Sequence, residues 1–183
     1  MAQYNGYVVV AHATYQEFRD ATLGNGYNVD NYAGNQCWDL PALLYWQYGL
    51  TLYTRPGGNG TAEDCWTVSR AANSVPPFIS VYNKSEIKRG DIIVFAGNTM
   101  TPTGHIAFAD EDYNGTNFLN CLGQHQGGAG QTDPSNITNL NLNGFLGVFR
   151  NTDWEHAPEP EEPKKDKFPW PVAWKHWRNF KRR

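Results

Sequence analysis

The chain has 183 residues, of which 40% are hydrophobic and 14% aromatic, enough for one domain with a sizeable core. Its formal net charge is −3, so the chain as a whole lacks the basic excess that is typical of nucleic-acid-binding proteins. The three cysteines are an odd number and do not describe a disulfide framework. The apolar run in the opening stretch "MAQYNGYVVVAHATYQEF" is too short for a signal peptide or a membrane span. We therefore expect a protein made in a cytoplasm, without a signal peptide or a transmembrane segment.

The first half of the chain predicts helices separated by polar loops. Apolar residues at helical spacing, with Thr14 as a cap, indicate a first helix over residues 14–23. After an Asn- and Gly-rich loop over 24–35, "CWDLPALLYWQYG" predicts a second helix over 37–48. A Gly-rich loop over 51–62 follows, and "EDCWTVSRAAN" predicts a short third helix.

The second half of the chain predicts strands. The runs "GDIIVFAG", "GHIAFADED", "NFLNCLGQ" and "GFLGVFRN" are short, apolar and bounded by turn residues. Helices followed by four or more antiparallel strands favour an α+β fold, with the N-terminal helices packed on an antiparallel sheet.

The charge is uneven along the chain and predicts where the domain ends. Residues 154–163, "WEHAPEPEEP", carry four Glu and no Lys or Arg, whereas residues 164–183 carry eight Lys or Arg and one Asp. A Pro- and Glu-rich stretch is typical of a stiff linker. We predict a domain over 1–153, a linker over 154–167 and a Trp-rich basic tail over 168–183.

A cysteine at the predicted start of the second helix is a candidate nucleophile. The helix dipole and free N–H groups at that position favour a thiolate at Cys37 and can hold an oxyanion. His105 opens a strand in which Ala107 and Ala109 share its face and leave space beside it. A catalytic imidazole also needs an orienting group, and the next run, "NCLGQHQGG", offers Asn120, Gln124 and His125. The competing interpretation is a buried structural cysteine and an ordinary strand histidine.

The loop before Cys37 has the oxygen-ligand spacing of a calcium loop. Its candidate ligands stand at positions 1, 3, 5, 7 and 12 of a twelve-residue window: Asn28, Asp30, Tyr32, Gly34 and Asp39. The pattern departs from an EF-hand in having Asp at position 12 and Ala33 at position 6. Hard oxygen ligands suit Ca²⁺, and the ion would brace the loop that carries Cys37. The alternative is a solvated Asn/Asp turn.

A zinc site is a weaker interpretation of the cysteines and histidines. Cys37, His105, Cys121 and His125 are the candidate Cys₂His₂ ligands, but the chain has no CxxC pair. Cys65 and Cys121 are expected to be structural or free, and the sequence leaves their pairing open.

Four stretches together resemble the CHAP family of cysteine- and histidine-dependent amidohydrolases/peptidases. They are "GYNVDNYAGNQCWDL", "KRGDIIVFAG", "GHIAFADED" and "NCLGQHQGG", and the resemblance covers about residues 14–150. The family has a papain-like fold and is common in bacteriophage lysins and bacterial cell-wall hydrolases. The resemblance implies that Cys37 is the nucleophile and His105 the general base. It also implies that Gln36 and the backbone N–H of Cys37 form the oxyanion hole.

The resemblance fails at the group that orients the histidine. The family usually places an acidic residue and an Asn, one residue apart, on the strand after the His. Here Gly123 and His125 fall at those places, with Gln124 between them. Three alternatives remain for the group that orients His105. His125 or Gln124 orients the ring, Asn120 does so, or Cys37 and His105 act without a firmly placed orienting residue. Some phage members carry a calcium at the place of the Asn28–Asp39 loop, and this motif is similar to theirs.

The resemblance implies a phage hydrolase of peptidoglycan. The scissile bond would be the amide between muramic acid and L-alanine, or a peptide bond of the stem or cross-bridge. The enzyme would be made in the host cytoplasm. It would reach the cell wall either after release from the host cytoplasm or as a part of the phage particle. The competing class is an inactive papain-like binding or structural module of a phage particle.

The tail has its own candidate partners. In "FPWPVAWKHWRNFKRR", Trp170, Trp174 and Trp177 lie on one face of a short helix, with basic residues between them. Such a helix could lie on an anionic membrane or wall polymer, or dock on a virion protein. The remaining alternative is a disordered basic tail.

Overall fold

The computed structural model describes residues 2–4, 7–9, 11–55 and 60–154, with only the backbone for residues 2–4 and 7–9. The predicted tail, and the predicted linker beyond Trp154, lie outside the described residues. Within the described ranges, no helix is both long enough and apolar enough to cross a membrane.

Short helices occupy the first half of the described chain, as predicted. They are α1 (Tyr15–Thr22), α2 (Asp39–Gln47), α3 (Asp64–Thr67) and α4 (Arg70–Asn73). The Thr14 side chain caps α1 by accepting a hydrogen bond from the Glu17 N–H at 3.1 Å, which confirms the predicted start. The predicted third helix is present as two short helices rather than one: the break lies between α3 and α4, where Ser69, with φ −109° and ψ 9°, leaves the helical region.

Within the described part of the chain, eight strands form two sheets. The first two, β1 (Ala2–Tyr4) and β2 (Tyr7–Val9), pair as an antiparallel hairpin. The other six form one antiparallel sheet in the order β3-β8-β4-β5-β6-β7. Their bounds are β3 (Phe78–Val81), β4 (Ile92–Phe95), β5 (His105–Ala109), β6 (Phe118–Gly123), β7 (Asn136–Asn141) and β8 (Phe145–Asn151).

The core has two layers, one on each face of the six-stranded sheet. Alternate strand residues such as Ile106 and Phe108 pack with the helices, whereas Ala107 and Ala109 belong to a second cluster. The alternation predicted for β5 is therefore confirmed, as is the α+β class with helices on an antiparallel sheet.

The four predicted strands are present, but sequence patterning missed four others: β1, β2, β3 and β7. The β7 sequence, "NITNLN", shows why, because a polar edge strand lacks the apolar run used to recognise a strand. It pairs with β6 along its whole length, so the partner strand stabilises it rather than its own composition.

Trp154 belongs to the folded unit, although the charge pattern placed it in the linker. Its ring lies 5.7 Å from that of Phe18 and 5.8 Å from that of Tyr15. Its indole N–H donates to the backbone oxygen of His12 at 3.2 Å. The folded unit therefore includes at least one residue beyond the predicted boundary at Asp153.

Candidate active site

Cys37 lies in a turn just before α2, not within the helix as predicted. The cause is Asp39, whose buried carboxylate accepts hydrogen bonds from the N–H groups of Val29 at 2.8 Å and Gln36 at 2.6 Å. These bonds fold residues 36–39 back on the preceding loop, and regular helix begins only at Asp39. The cysteine still stands at the amino end of the helix.

Cys37 lines a cleft of about 670 Å³. Its lining includes the loop that carries Asp30 and Tyr32, residues 51–55 and 60–62, and Thr103. Cys37 is partly exposed, whereas Cys65 and Cys121 are buried. All three are free thiols; Cys65 and Cys121 belong to different core clusters, so the pairing that the sequence left open is not formed.

The Cys37 thiol is not activated at rest, contrary to the expected effect of a helix start. Burial raises its pKa to about 11, and the nearby charge of Asp39 acts in the same direction. The backbone N–H groups of Ile106, Cys37 and Trp38 oppose this increase by favouring the thiolate. The contact with Ile106 places the sulfur beside the residue that follows His105.

His105 begins β5 at a point that requires a glycine before it. A Cβ on Gly104, whose φ is +72°, would lie 2.5 Å from the carbonyl oxygen of Phe95 and 2.9 Å from the Cβ of Glu63. Gly104 thus permits the close backbone approach predicted for it. Burial lowers the pKa of His105, so the imidazole is neutral at pH 7.

The resting structure shows no hydrogen bond between Cys37 and His105 within the ranges it describes. Catalytic hydrogen bonds are often long in proteins without substrate and shorten only when substrate is bound. The two residues are neighbours through the backbone of β5 rather than through their side chains.

Gln126 holds the His105 ring, and none of the predicted candidates does so. Its Oε1 lies 3.0 Å from His105 Nε2. Its Nε2 donates to the backbone oxygens of Cys121 at 2.9 Å and Asn136 at 3.0 Å, which fixes the amide orientation. Because Oε1 can only accept, His105 carries its proton on Nε2 and keeps Nδ1 as the basic nitrogen.

Gly123 makes room for this contact. A Cβ at position 123 would lie 2.6 Å from Gln126 Oε1 and 3.2 Å from the Cβ of Ala107. Gly123 is the residue that the resemblance to the CHAP family aligns with an acidic position. Its missing side chain is the space through which Gln126 reaches the imidazole.

The other candidates for the orienting group have different surroundings. Gln124 is fully buried; its amide accepts from the Tyr27 N–H and donates to the carbonyl oxygens of Tyr27 and Gln36. His125 is exposed with a φ of +51°, and Asn120 binds Asn139 across the β6–β7 pair. Gln124 therefore holds the loop before Cys37, and the other two lie outside the hydrogen bonding of His105.

The proposed oxyanion residue, Gln36, lies in the cleft beside Cys37. Its Nε2 donates to the backbone oxygen of Ala33 at 2.6 Å, so one of its two amide hydrogens is engaged in closing the loop. The backbone N–H of Cys37 already faces its own sulfur.

The predicted metal ligands lie on one tight loop. Ala33 has a φ of +56°, the left-handed conformation for which an EF-hand uses glycine, and Gly34 has a φ of +73°. The Asn28 side-chain oxygen is buried. Burial and the charge of Asp30 raise the pKa of Asp39 to about 7, with burial the larger cause.

The loop supplies two carboxylates and otherwise neutral oxygens. Across the described ranges, no three His, Cys, Asp or Glu side chains converge as a metal cluster. The fit to a cation therefore depends on the Asn28 amide and on backbone carbonyls.

Sequence patterning missed Gln126 because a glutamine after a strand is chemically unremarkable. The available signal was the run "QHQGG", in which Gly127 and Gly128 both adopt positive φ. A tight turn there leads the chain into β7, and the Asn136 backbone of β7 accepts the bond that orients the Gln126 amide.

The chain is similar in sequence to a phage endopeptidase. No family model matches the chain. The chain is 35% identical over 119 residues to the "D-alanyl-L-alanine endopeptidase" of Streptococcus phage B30, an alignment that covers 64% of this chain. The chain spans only 26% of that relative's length.

The solved structures show the fold. The wild-type endolysin LysIME-EF1 superposes with a TM-score of 0.57 at 21% identity, over 75% of this chain and 63% of that chain. Ly7917 superposes with a TM-score of 0.51 at 14% identity, over 77% of this chain and 63% of that chain. The papain-like α+β arrangement predicted from the sequence is thus the fold shared with solved endolysin structures.

Proposed function

We propose that the protein is a peptidoglycan hydrolase that cleaves an amide bond with Cys37 as nucleophile and His105 as base. The observation that carries this proposal is the cleft: a partly exposed cysteine at the amino end of a helix lies beside the strand that His105 begins. The activity named for the phage B30 relative and the fold shared with a solved endolysin favour a cell-wall substrate. Membership of the CHAP family stays a prediction.

The chemistry follows acyl transfer to sulfur. His105 takes the Cys37 proton on its free Nδ1 as the sulfur attacks the amide carbonyl carbon. The backbone N–H of Cys37 and the second side-chain amide N–H of Gln36 hold the oxyanion. The imidazolium gives that proton to the leaving amine as the C–N bond breaks and a thioester remains. Water then attacks the thioester carbon while His105 accepts its proton; collapse releases the carboxylic acid product, and the proton returns to sulfur.

A neutral resting pair suits this mechanism. With the thiol pKa raised and the imidazole pKa lowered, both groups are uncharged at pH 7. The proton therefore moves during attack, and His105 acts as a general base rather than as half of a preformed ion pair. Active enzyme requires neutral His105, so the acidic limit of activity should lie below pH 6.5, the ordinary histidine pKa.

The test is mass spectrometry of purified Gram-positive peptidoglycan after digestion. New peptide amino and carboxyl termini would identify an endopeptidase, as the relative's name suggests, whereas a free lactyl carboxylate on muramic acid together with a free L-alanine amine would identify an amidase. If walls of several cross-bridge chemistries yield no fragments with the parent protein, the proposal fails.

A catalytically weak or inactive binding module of a phage particle is the second candidate. It is favoured by the raised pKa of Cys37 and by the missing Cys37–His105 hydrogen bond in the described structure. On that alternative, the cleft binds wall peptide without cleaving it.

Thiol labelling separates the two candidates. We expect iodoacetamide to label Cys37 ahead of the buried Cys65 and Cys121, because only Cys37 is partly exposed. The thiolate is the reactive form of the thiol. For a thiol of pKa about 11 without a neighbouring base, the labelling rate should therefore rise about tenfold per pH unit from pH 7 to 9. In the parent protein, His105 should make labelling at pH 7 faster than in His105→Ala. Equal and slow labelling of all three thiols, measured by mass spectrometry, would favour the binding module.

We further propose that the Asn28–Asp39 loop holds a structural Ca²⁺. Asn28, Asp30 and Asp39 would supply side-chain oxygens, and Tyr32 and Gly34 backbone carbonyls. The surroundings fit: burial chiefly, and the charge of Asp30 in addition, raise the pKa of Asp39, and a divalent cation would remove the repulsion between the two carboxylates. When bound, the ion would brace the loop that presents Cys37; it takes no part in the reaction.

Calcium is expected to raise the melting temperature and EDTA to lower it. At about a hundredfold excess over its Kd, a specific ion adds about 3 kcal/mol to the free energy of unfolding. Asp30→Ala should abolish this response, whereas Asp20→Ala, which removes an exposed carboxylate on α1, should keep it. Calorimetric scans with EDTA or calcium test this; an unchanged response in Asp30→Ala would refute the site.

The tail over residues 168–183 is proposed to attach the enzyme to a virion protein or an anionic surface. Its basis is the sequence alone, with three Trp and a charge of about +7 over residues 164–183. A chain that ends after Trp154 should hydrolyse soluble wall fragments at the parental rate but sediment less with walls or particles. Loss of soluble-fragment hydrolysis would show that the boundary is wrong.

A further inference from the structure

One wall of the cleft is an irregular segment over residues 51–55 that buried polar groups hold in place. Both backbone groups of Tyr53 bind the Asn73 side chain, each at 2.8 Å. Asn73 is fully buried and also donates to the backbone oxygen of Cys65 at 2.9 Å. Leu52 anchors the same segment in the core. The segment over 51–55 is therefore a fixed surface of the cleft although it has no regular secondary structure.

This wall carries a preoriented guanidinium. Arg55 Nη2 lies 3.0 Å from Asp64 Oδ2, and the same oxygen accepts from the Thr61 N–H at 2.9 Å. These hydrogen bonds lower the pKa of Asp64 and keep it ionised, the Thr61 bond being the larger cause. The Arg55 side chain is 51% exposed, whereas that of Asp64 is 14% exposed. Asp64 thus fixes one edge of the guanidinium, and the other donors stay available.

Two exposed aromatic rings line the same cleft as this cation. Tyr53 is 47% exposed, and Tyr32 is 70% exposed. Arg55 is the one cation among the described residues that line the cleft. Rings of this kind contact peptide and sugar groups, while a fixed guanidinium pairs with a carboxylate through two N–H groups.

We propose that Arg55, held by Asp64, binds a carboxylate of the wall stem peptide and sets substrate preference. This rests on the proposed function, which places a stem peptide in the cleft. The stem offers two carboxylates: the α-carboxylate left free by the γ-linked D-glutamate, and the carboxylate of a terminal D-alanine. Amidation of the carboxylate that Arg55 binds removes its charge and one acceptor, so it should weaken binding.

The test measures binding rather than hydrolysis. Synthetic L-Ala-γ-D-Glu-L-Lys-D-Ala is compared by calorimetry with peptides amidated at the glutamate, at the terminus, or at both, on the Cys37→Ala variant. We expect amidation of one of the two carboxylates to weaken binding about tenfold, the size of one lost charged hydrogen bond. On the Cys37→Ala background, Arg55→Gln should remove the difference in affinity between the acid and the amide peptide. Asp64→Asn should reduce that difference, because the guanidinium loses the carboxylate that fixes its orientation.

Arg70→Gln is the matched control. Arg70 is also a cation, but it lies over the Trp66 ring at 5.6 Å and does not line the cleft. It should preserve the acid-to-amide difference. Equal binding of all four peptides to Cys37→Ala, or an unchanged difference after Arg55→Gln, would overturn the proposal. Hydrolysis by the parent protein is scored separately, so failure of catalysis and failure of carboxylate recognition are distinguishable.

Discussion

Replacing Cys37 by alanine is expected to lower kcat/KM for wall hydrolysis by at least ~10³-fold, the cost of removing a covalent nucleophile. The variant should keep its fold, because the thiol is partly exposed and makes no side-chain hydrogen bond to His105 within the described ranges. Its melting temperature should therefore stay close to that of the parent protein. Release of soluble fragments from purified peptidoglycan measures the activity.

Cys121→Ala is the control for this substitution. Cys121 is buried in the cluster behind β5 and β6, and its loss should cost about 1 kcal/mol of stability while activity is kept. If Cys37→Ala retains a tenth or more of the parental rate, Cys37 is not the nucleophile.

Replacing Gln126 by glutamate is expected to move the acidic limb of the pH–rate profile upward by about one pH unit. Gln126 presents a neutral oxygen to His105 Nε2, and burial keeps the His105 pKa low. A carboxylate at that place stabilises the imidazolium and raises the pKa of His105. Because the base must be neutral to act, the rate at pH 6 should fall more than the rate at pH 8. The dependence of kcat on pH measures this shift.

The same variant also loses the amide donors to Cys121 and Asn136, so its melting temperature should fall. A lower folded fraction reduces the rate without shifting the pH at which the acidic limb of the pH–rate profile falls. The position of the limb therefore reports the His105 pKa, and the melting temperature reports the loss of stability. Gln16→Glu, which adds the same charge on the exposed face of α1, should leave the profile in place. If the acidic limb of the pH–rate profile stays in place in Gln126→Glu, then residue 126 does not set the pKa of His105.

Gly123→Ala tests the same arrangement without altering Gln126 or His105. The new methyl group would meet Gln126 Oε1 at 2.6 Å, so the amide must withdraw from the ring. Because Gly123 lies outside the left-handed region, the backbone tolerates alanine. We expect kcat to fall about tenfold with little change in KM, since imidazole orientation matters most in the transition state. A parental kcat would contradict the role of the gap at Gly123.

Local signals predicted the parts of the fold that depend on nearby residues. Thr14 caps α1 because a hydroxyl oxygen reaches an N–H three residues on, a contact contained in the sequence. The alternation in β5 likewise places His105 and Ala107 on one face whatever the neighbouring strands are. β7 could not be found this way, since its pairing partner rather than its composition makes it a strand.

Some features of the candidate site can likewise be predicted from the sequence, whereas others depend on tertiary structure. The residue types and spacing of Cys37 and His105, and the oxygen pattern from Asn28 to Asp39, are properties of the sequence by itself. Only the tertiary structure decided that Gln126, and not Gln124 or His125, meets the imidazole. The left-handed turn at His125 directs the side chains on either side of it inward, and the missing Cβ of Gly123 opens the gap. The physical reason is range: capping and alternation act between residues close in sequence, whereas an orienting contact between positions 105 and 126 exists only once β5, β6 and β7 are paired.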